Sequence, residues 1–174
     1  KSLAGFMTHR DAFMVKKLRD AGAVIIGKTN LHELAYGITS ISSMGGQTRN
    51  PYDPTRNPGG SSGGTGAAIA ANFAAAGMGT DTCGSIRIPS SYSGLFGFKT
   101  SFGRVGYSGN FDSALTSVPG PMCRSVRDAA RYIDAIAGPT NNDPTSLPRP
   151  ARSYEDAIVS GDAQARLRAK RAAW

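Results

Sequence analysis

The chain has 174 residues, 40% of them hydrophobic and 18% charged, a balance that suits one folded domain with its own core and excludes a disordered polymer. The longest uncharged stretch, Ala67 to Thr80, is rich in Ala and Gly and carries Asn72, so it makes a poor membrane span. The net charge of +8 is partly a tail effect: Arg166, Arg168, Lys170 and Arg171 lie in the last nine residues, and the other cations are scattered without interleaved aromatics, which reads as solvated surface rather than a nucleic-acid footprint.

Taken in order, Asp11 caps a predicted helix to about Ala21, with Phe13, Met14, Leu18 and Ala21 near one face and Gly22 ending it. Ala23 to Gly27 then reads as a short buried strand. Asn30 opens a second helix, with Glu33 as the other half of a capping box. Residues 41 to 60 are loop. An Ala-rich helix follows from Ser62 to Ala76, then a strand over Gly77–Thr80, a helical turn over Ile88–Tyr92 and a strand over Leu95–Phe98. Ser125 caps an amphipathic helix to about Ala137, with Asp128 in its first turn and Val126, Ala129, Ala130, Ile133 and Ile136 on the buried side. Pro139 to Pro150 is an irregular connection, and Tyr154 to Val159 is a last short helix. This alternation gives an α/β fold in one domain, 1–174.

The chemistry concentrates in two glycine-flanked serines. Ser61 lies in Gly59-Gly60-Ser61-Ser62-Gly63-Gly64-Thr65-Gly66, and Ser85 follows 24 positions later in Asp81-Thr82-Cys83-Gly84-Ser85-Ile86-Arg87. Glycines gather where the chain turns steeply or where backbone amides must approach a ligand. A serine in such a turn offers an exposed hydroxyl beside free N–H groups, the nucleophile and the oxyanion donors of acyl transfer. Phosphate binding fits less well. The Walker lysine is absent after Gly64, and Asn57-Pro58, not a strand, precedes the glycines. A Ser-His-acid triad needs a histidine base, but His9 and His32, the two histidines, read as solvated or capping residues, and no Gly-x-Ser-x-Gly elbow surrounds Ser85. That leaves serine activation by a lysine or through a second serine. Cys83 and Cys123 read as free thiols in a reducing, cytoplasmic compartment, and two Cys with two widely spaced His argue against zinc. No cofactor is called for.

The two serine segments together, with Gly79-Thr80 before and Ile88-Pro89 after the second, resemble the amidase signature hydrolases. Ala21 to Asn30, Gly45 to Tyr52, Gly97 to Thr100 and Gly120 to Val126 are similar to the flanking segments of that family, so the resemblance covers roughly residues 8 to 150, with a signature core at about 45–124. It implies a mixed β-sheet flanked by α-helices, only partly present here, and a Ser–cis-Ser–Lys triad. By position Ser85 would be the nucleophile and Ser61, after a cis Gly60–Ser61 peptide, the bridging serine. The N–H groups of Thr82, Cys83, Gly84 and Ser85 would form the oxyanion hole, each worth about 2.7–4 kcal/mol of transition-state stabilisation. Ser62 would either tune Ser61 or cap the following helix, and Asp81 and Arg87 would support the loop. Lys28 and Lys99 fall in family-like segments but not at the catalytic lysine. Cys83 is a departure, standing where the family usually has glycine. The resemblance places the lysine before Lys1, and Arg168 to Trp174 is similar to the approach to a further strand. The expectation is therefore a partial domain with little activity alone, exposed strand edges and a second chain or homodimer completing the sheet. The implied substrate is a small carboxamide. The alternatives are a non-catalytic scaffold and the amidase component of an aminoacyl-tRNA amidotransferase.

Overall fold

The computed structural model of the chain describes residues 4–107, 116–168 and 170. Helix α1, Phe13–Asp20, buries Met14 and Leu18 and ends at Gly22, whose φ of +86° supplies the left-handed turn. Its N-cap is Ala12 without a side-chain bond; Asp11 instead pairs with Arg19 at 2.9 Å. The expected strand at 23–27 does not form. Val24 and Ile26 stand 84% and 67% exposed, because no described strand lies alongside to take up their backbone bonds. The expected helix from Asn30 is also absent. A single 3₁₀ turn, Glu33–Ala35, stands there, with Leu34 and Ala35 at positive φ. The two side chains of the supposed capping box are engaged elsewhere. Asn30 Nδ2 donates to Gly46 O at 3.1 Å and Thr48 Oγ1 at 2.9 Å, and Glu33 accepts from Ser43.

A two-residue hairpin, β1 (Ile41–Ser42) with β2 (Gly46–Gln47), interrupts the loop that follows. Helix α2, Gly63–Ala70, is shorter than its alanine run, closing before Asn72 at φ +62°. Strand β3, Ala76–Asp81, helix α3, Arg87–Tyr92, and strand β4, Phe96–Gly97, follow as expected, although β4 is only two residues long. Strand β5, Val118–Cys123, lies between β3 and β4 and pairs antiparallel with both, Asp81 opposite Val118 and Phe96 opposite Cys123. The parallel component is the isolated bridge Val105–Gly138.

Helix α4, Val126–Ile136, packs on β5. Ser125 Oγ accepts from Asp128 N at 3.1 Å, and Ala129, Ala130, Ile133 and Ile136 are buried, whereas Val126 at its start is exposed. Met14 and Leu18 of α1 meet Val105 and Ile136 in one apolar cluster. Helix α5, Tyr154–Val159, is held by Asp134, which accepts from Tyr154 N and Glu155 N and from Ser153 Oγ. Helix α6, Asp162–Arg168, follows it. Lys1 and residues 171–174 lie outside the described residues.

Candidate active site

The first serine loop is fixed from below by polar side chains. Asn57 Oδ1 accepts from Gly59 N at 2.9 Å, and Gly59 takes φ +79°, where a side chain would be strained. The Gly60–Ser61 peptide is cis. Ser40, fully buried, reaches under the loop: its Oγ donates to Gly59 O at 2.8 Å and accepts from Gly63 N at 2.9 Å. His32 N donates to Ser61 O at 2.9 Å from the other side. The glycines at 63 and 64 are needed here, since a Cβ on them would collide with Ser40 and with the Asn30 backbone. Ser61 is 1% exposed, and its Oγ meets no hydrogen-bond partner among the described residues. Ser90 and Ser93 Oγ share that condition, which few buried hydroxyls show. Ser62 stands at the N-cap of α2 without a side-chain cap bond; its Oγ accepts from Thr80 N at 3.2 Å and lies 3.4 Å from Thr80 O, binding the loop to β3.

The second loop leaves β3 at Asp81 and enters α3 at Arg87, with Asp81 as its pivot. This carboxylate is fully buried. Its Oδ1 accepts from Gly84 N at 2.8 Å and Arg87 Nη2 at 3.1 Å, and its Oδ2 accepts from Ile86 N at 3.1 Å, Arg87 N at 3.3 Å and Arg87 Nε at 3.1 Å. Burial by itself would raise its pKa. The Arg87 guanidinium and the three backbone N–H groups outweigh that and hold the carboxyl well below the usual carboxylate range. Lys99 Nζ also approaches Oδ1, at 3.3 Å, and donates to Thr82 O at 2.8 Å. With two cations against one carboxylate, the loop carries a local positive excess.

Between these anchors the chain turns at Gly84, φ +121°, while Cys83 keeps an ordinary backbone and an exposed side chain. Cys83 in place of the family's glycine thus costs no backbone strain. The N–H groups of Thr82, Cys83 and Ser85 meet no acceptor among the described residues. Gly84 differs from its three neighbours, because its N–H is already engaged by Asp81.

The two loops are joined directly. Ser62 N donates to Ser85 O at 3.1 Å, which sets the backbones of the serine segments side by side; Ser85 itself is half-buried. The two serine hydroxyls do not hydrogen-bond to each other, since Ser61 Oγ has no partner at all among the described residues. The joined loops carry a half-buried serine, a buried serine hydroxyl, three N–H donors without a described acceptor and a positive field. Those are the ingredients of acyl transfer through a negatively charged tetrahedral intermediate. A cavity lined by Thr100, Tyr107, Ser117, Val118, Pro119 and Asp143 among others holds neither serine. Among the described residues no group of three His, Cys, Asp or Glu side chains gathers as metal ligands would. Ser40 escapes a sequence reading as a site-building residue, standing in an irregular loop, and Lys99, although it lies in the family-like segment Gly97 to Thr100, has no spacing rule that ties it to the Ser85 loop 14 positions earlier.

Comparison with known proteins places the chain in a family. The chain is 46% identical over 161 residues to a glutamyl-tRNA(Gln) amidotransferase subunit of Lachnospira eligens, covering 91% of this chain and 33% of that protein. Among solved structures, the peptide amidase of Stenotrophomonas maltophilia superposes with a TM-score of 0.79 at 44% identity, over 86% of this chain and 32% of that one. A 6-aminohexanoate cyclic dimer hydrolase superposes with a TM-score of 0.84 at 36% identity, over 90% and 33%. The chain thus spans about a third of the length of the relatives it matches. A family model described as Amidase matches residues 1–170, the span that holds both serine loops, and the chain belongs to the amidase family.

Proposed function

We propose that this chain carries the nucleophile and oxyanion loop of an amide hydrolase. Ser85 Oγ attacks the carboxamide carbon, and its proton passes to Ser61 Oγ and on to a base, by resemblance a lysine. The carbonyl oxygen becomes an oxyanion facing the N–H groups of Thr82, Cys83 and Ser85. Collapse expels the amine, protonated through Ser61, and leaves an ester on Ser85 that water hydrolyses. Gly84 contributes its backbone conformation rather than its N–H, which Asp81 holds.

The observation that carries this reading is Ser61. A buried hydroxyl with no partner costs about 1–3 kcal/mol; among the described residues Ser90 and Ser93 also carry one, and of the three Ser61 is the one adjoining Ser62, whose N–H holds Ser85 O. A basic group taking its proton would supply the missing pairing. The test is ammonia release from a simple carboxamide, in a protein where the lysine-bearing segment precedes residue 1. Turnover abolished by Ser85→Ala supports the reading; turnover that survives the substitution overturns it.

A second reading is favoured by the curated relatives. Their name is that of a glutamyl-tRNA(Gln) amidotransferase subunit; on that reading this chain would cleave glutamine and work with a second chain. Glutamine hydrolysis stimulated by added partner distinguishes it from a free-standing amidase. If the folded protein neither turns over an amide nor reacts at Ser85, it is a scaffold.

A further inference from the structure

We propose that Lys99 is a positioning residue of the oxyanion loop, turning the Thr82–Cys83 peptide so that the Cys83 N–H faces the acyl oxygen. The inference rests on the amide-hydrolase reading of Ser85 and extends it to a side chain outside both serine motifs.

Peptide geometry is the first ground. In a trans peptide the C=O and the following N–H point to opposite sides, and the Thr82–Cys83 bond is trans. Lys99 Nζ holds Thr82 O at 2.8 Å, so the Cys83 N–H is directed away from Lys99, and no described acceptor receives it. Thr82 O itself has Lys99 as its one partner among the described hydrogen bonds. Without that contact, no other described hydrogen bond stops the peptide from rotating.

The second ground is how firmly Lys99 is presented. Its neighbours on both sides are bonded to β5: Phe98 N donates to Pro121 O at 3.0 Å, and Thr100 Oγ1 donates to Pro119 O at 3.0 Å. The same strand pairs with β3, setting Pro119 opposite Thr80 and Val118 opposite Asp81. One strand therefore fixes both the base of the loop and the residue that reaches over to it. The Lys99 side chain is 29% exposed, so its stem is largely ordered by packing.

The third ground is complementarity. Asp81 takes the Gly84 N–H, and Lys99 takes the Thr82 carbonyl. These two anchors of opposite sign bracket Cys83 and leave its N–H uncommitted. Lys99 Nζ also stands 3.3 Å from Asp81 Oδ1, so a single ammonium ties the carboxylate to the loop. A compact ammonium can meet two oxygens in different directions, which a planar guanidinium reproduces only in part.

The test compares Lys99→Met and Lys99→Arg with the parent, again with the lysine-bearing segment present. It measures kcat and KM on a carboxamide and inhibition by the matching aldehyde, which adds to Ser85 as a tetrahedral mimic. Lys99→Met is expected to lower kcat about 10²–10³-fold, as the loss of an oxyanion donor does, with KM within about twofold. Aldehyde affinity should fall by the same factor as kcat/KM, and Lys99→Arg should recover part of both. Amide hydrogen exchange gives a readout without turnover: the Gly84 N–H should exchange at least about tenfold faster in Lys99→Met. An active parent with a Met variant of equal kcat overturns the inference, as does unchanged aldehyde affinity or unchanged Gly84 exchange. A parent that hydrolyses no amide overturns the functional reading instead, and the assignment of the Cys83 N–H falls with it.

Discussion

Residues 23–44 and residues 59–90 are both rich in small and apolar side chains, yet they end in opposite conditions. In the first region Val24, Ile26, Leu34, Tyr36, Ile38 and Met44 are exposed, and order comes from side chains such as Asn30 and Glu33 reaching across a loop. In the second, Ser61, Gly64, Ile69, Asp81 and Ile86 are buried, and two loops are locked around the Asp81 carboxylate and by the Ser40 hydroxyl reaching in from the first region. Apolar character alone does not make a strand; a backbone partner does. Polar side chains can fix a loop as firmly as a core, provided each of them is satisfied.

The sharpest way to separate the two regions is Ser61→Ala. A buried hydroxyl without a partner gives the fold nothing, so its removal should leave the thermal midpoint equal or slightly higher. Amide turnover should nevertheless drop about 10²–10⁴-fold, the worth of a lost proton relay, as read by ammonia release. Next is Asp81→Ala, which strands Arg87, Lys99 and three N–H groups. Denaturant unfolding should show a loss on the order of 3 kcal/mol. Activity lost without any loss of stability would contradict the anchoring role of Asp81.

Acid probes the same pivot. The Asp81 carboxyl titrates lower in the folded chain than unfolded, so its stabilisation is present above the unfolded pKa of about 3.9 and is lost as pH falls through the folded value. The thermal midpoint should therefore hold steady down to about pH 5 and decline below about pH 4, and Asp81→Asn should flatten that decline. Thiol alkylation gives a smaller but clean contrast. Burial pushes the Cys123 thiol up to about 12, whereas Cys83 is exposed. Iodoacetamide at pH 8 should modify Cys83 and spare Cys123 in peptide mass mapping. The smallest effect is expected in the first region: Val24→Thr and Ile26→Thr should change unfolding free energy by less than about 0.5 kcal/mol.

Helix α4 was legible because Ser125, Asp128 and a 3.6-residue apolar stripe all point to one answer, and the structure keeps the cap and the stripe except for Val126, which is exposed. Helix α5 and strand β3 were legible for similar local reasons. The strand expected at 23–27 was not, because periodicity reports what a segment can bury and not whether anything lies against it. Asn30 and Glu33 mimic a capping box but bind Gly46, Thr48 and Ser43, contacts that no spacing rule reveals. In the site, the resemblance supplies both serines and the cis peptide. The Asp81 hold on Gly84, the Ser62 bond to Thr80 and the reach of Ser40 and Lys99 are long-range contacts, visible only once the chain is folded.

The central claim is that Ser85 is the acyl-accepting nucleophile, and covalent trapping tests it most directly. A protein carrying this chain and the lysine-bearing segment is treated with a fluorophosphonate, digested and mapped by mass spectrometry. One adduct is predicted, on Ser85, absent in Ser85→Ala and strongly slowed in Ser61→Ala. An adduct on another residue, or amide turnover from a protein that never labels at Ser85, would contradict it.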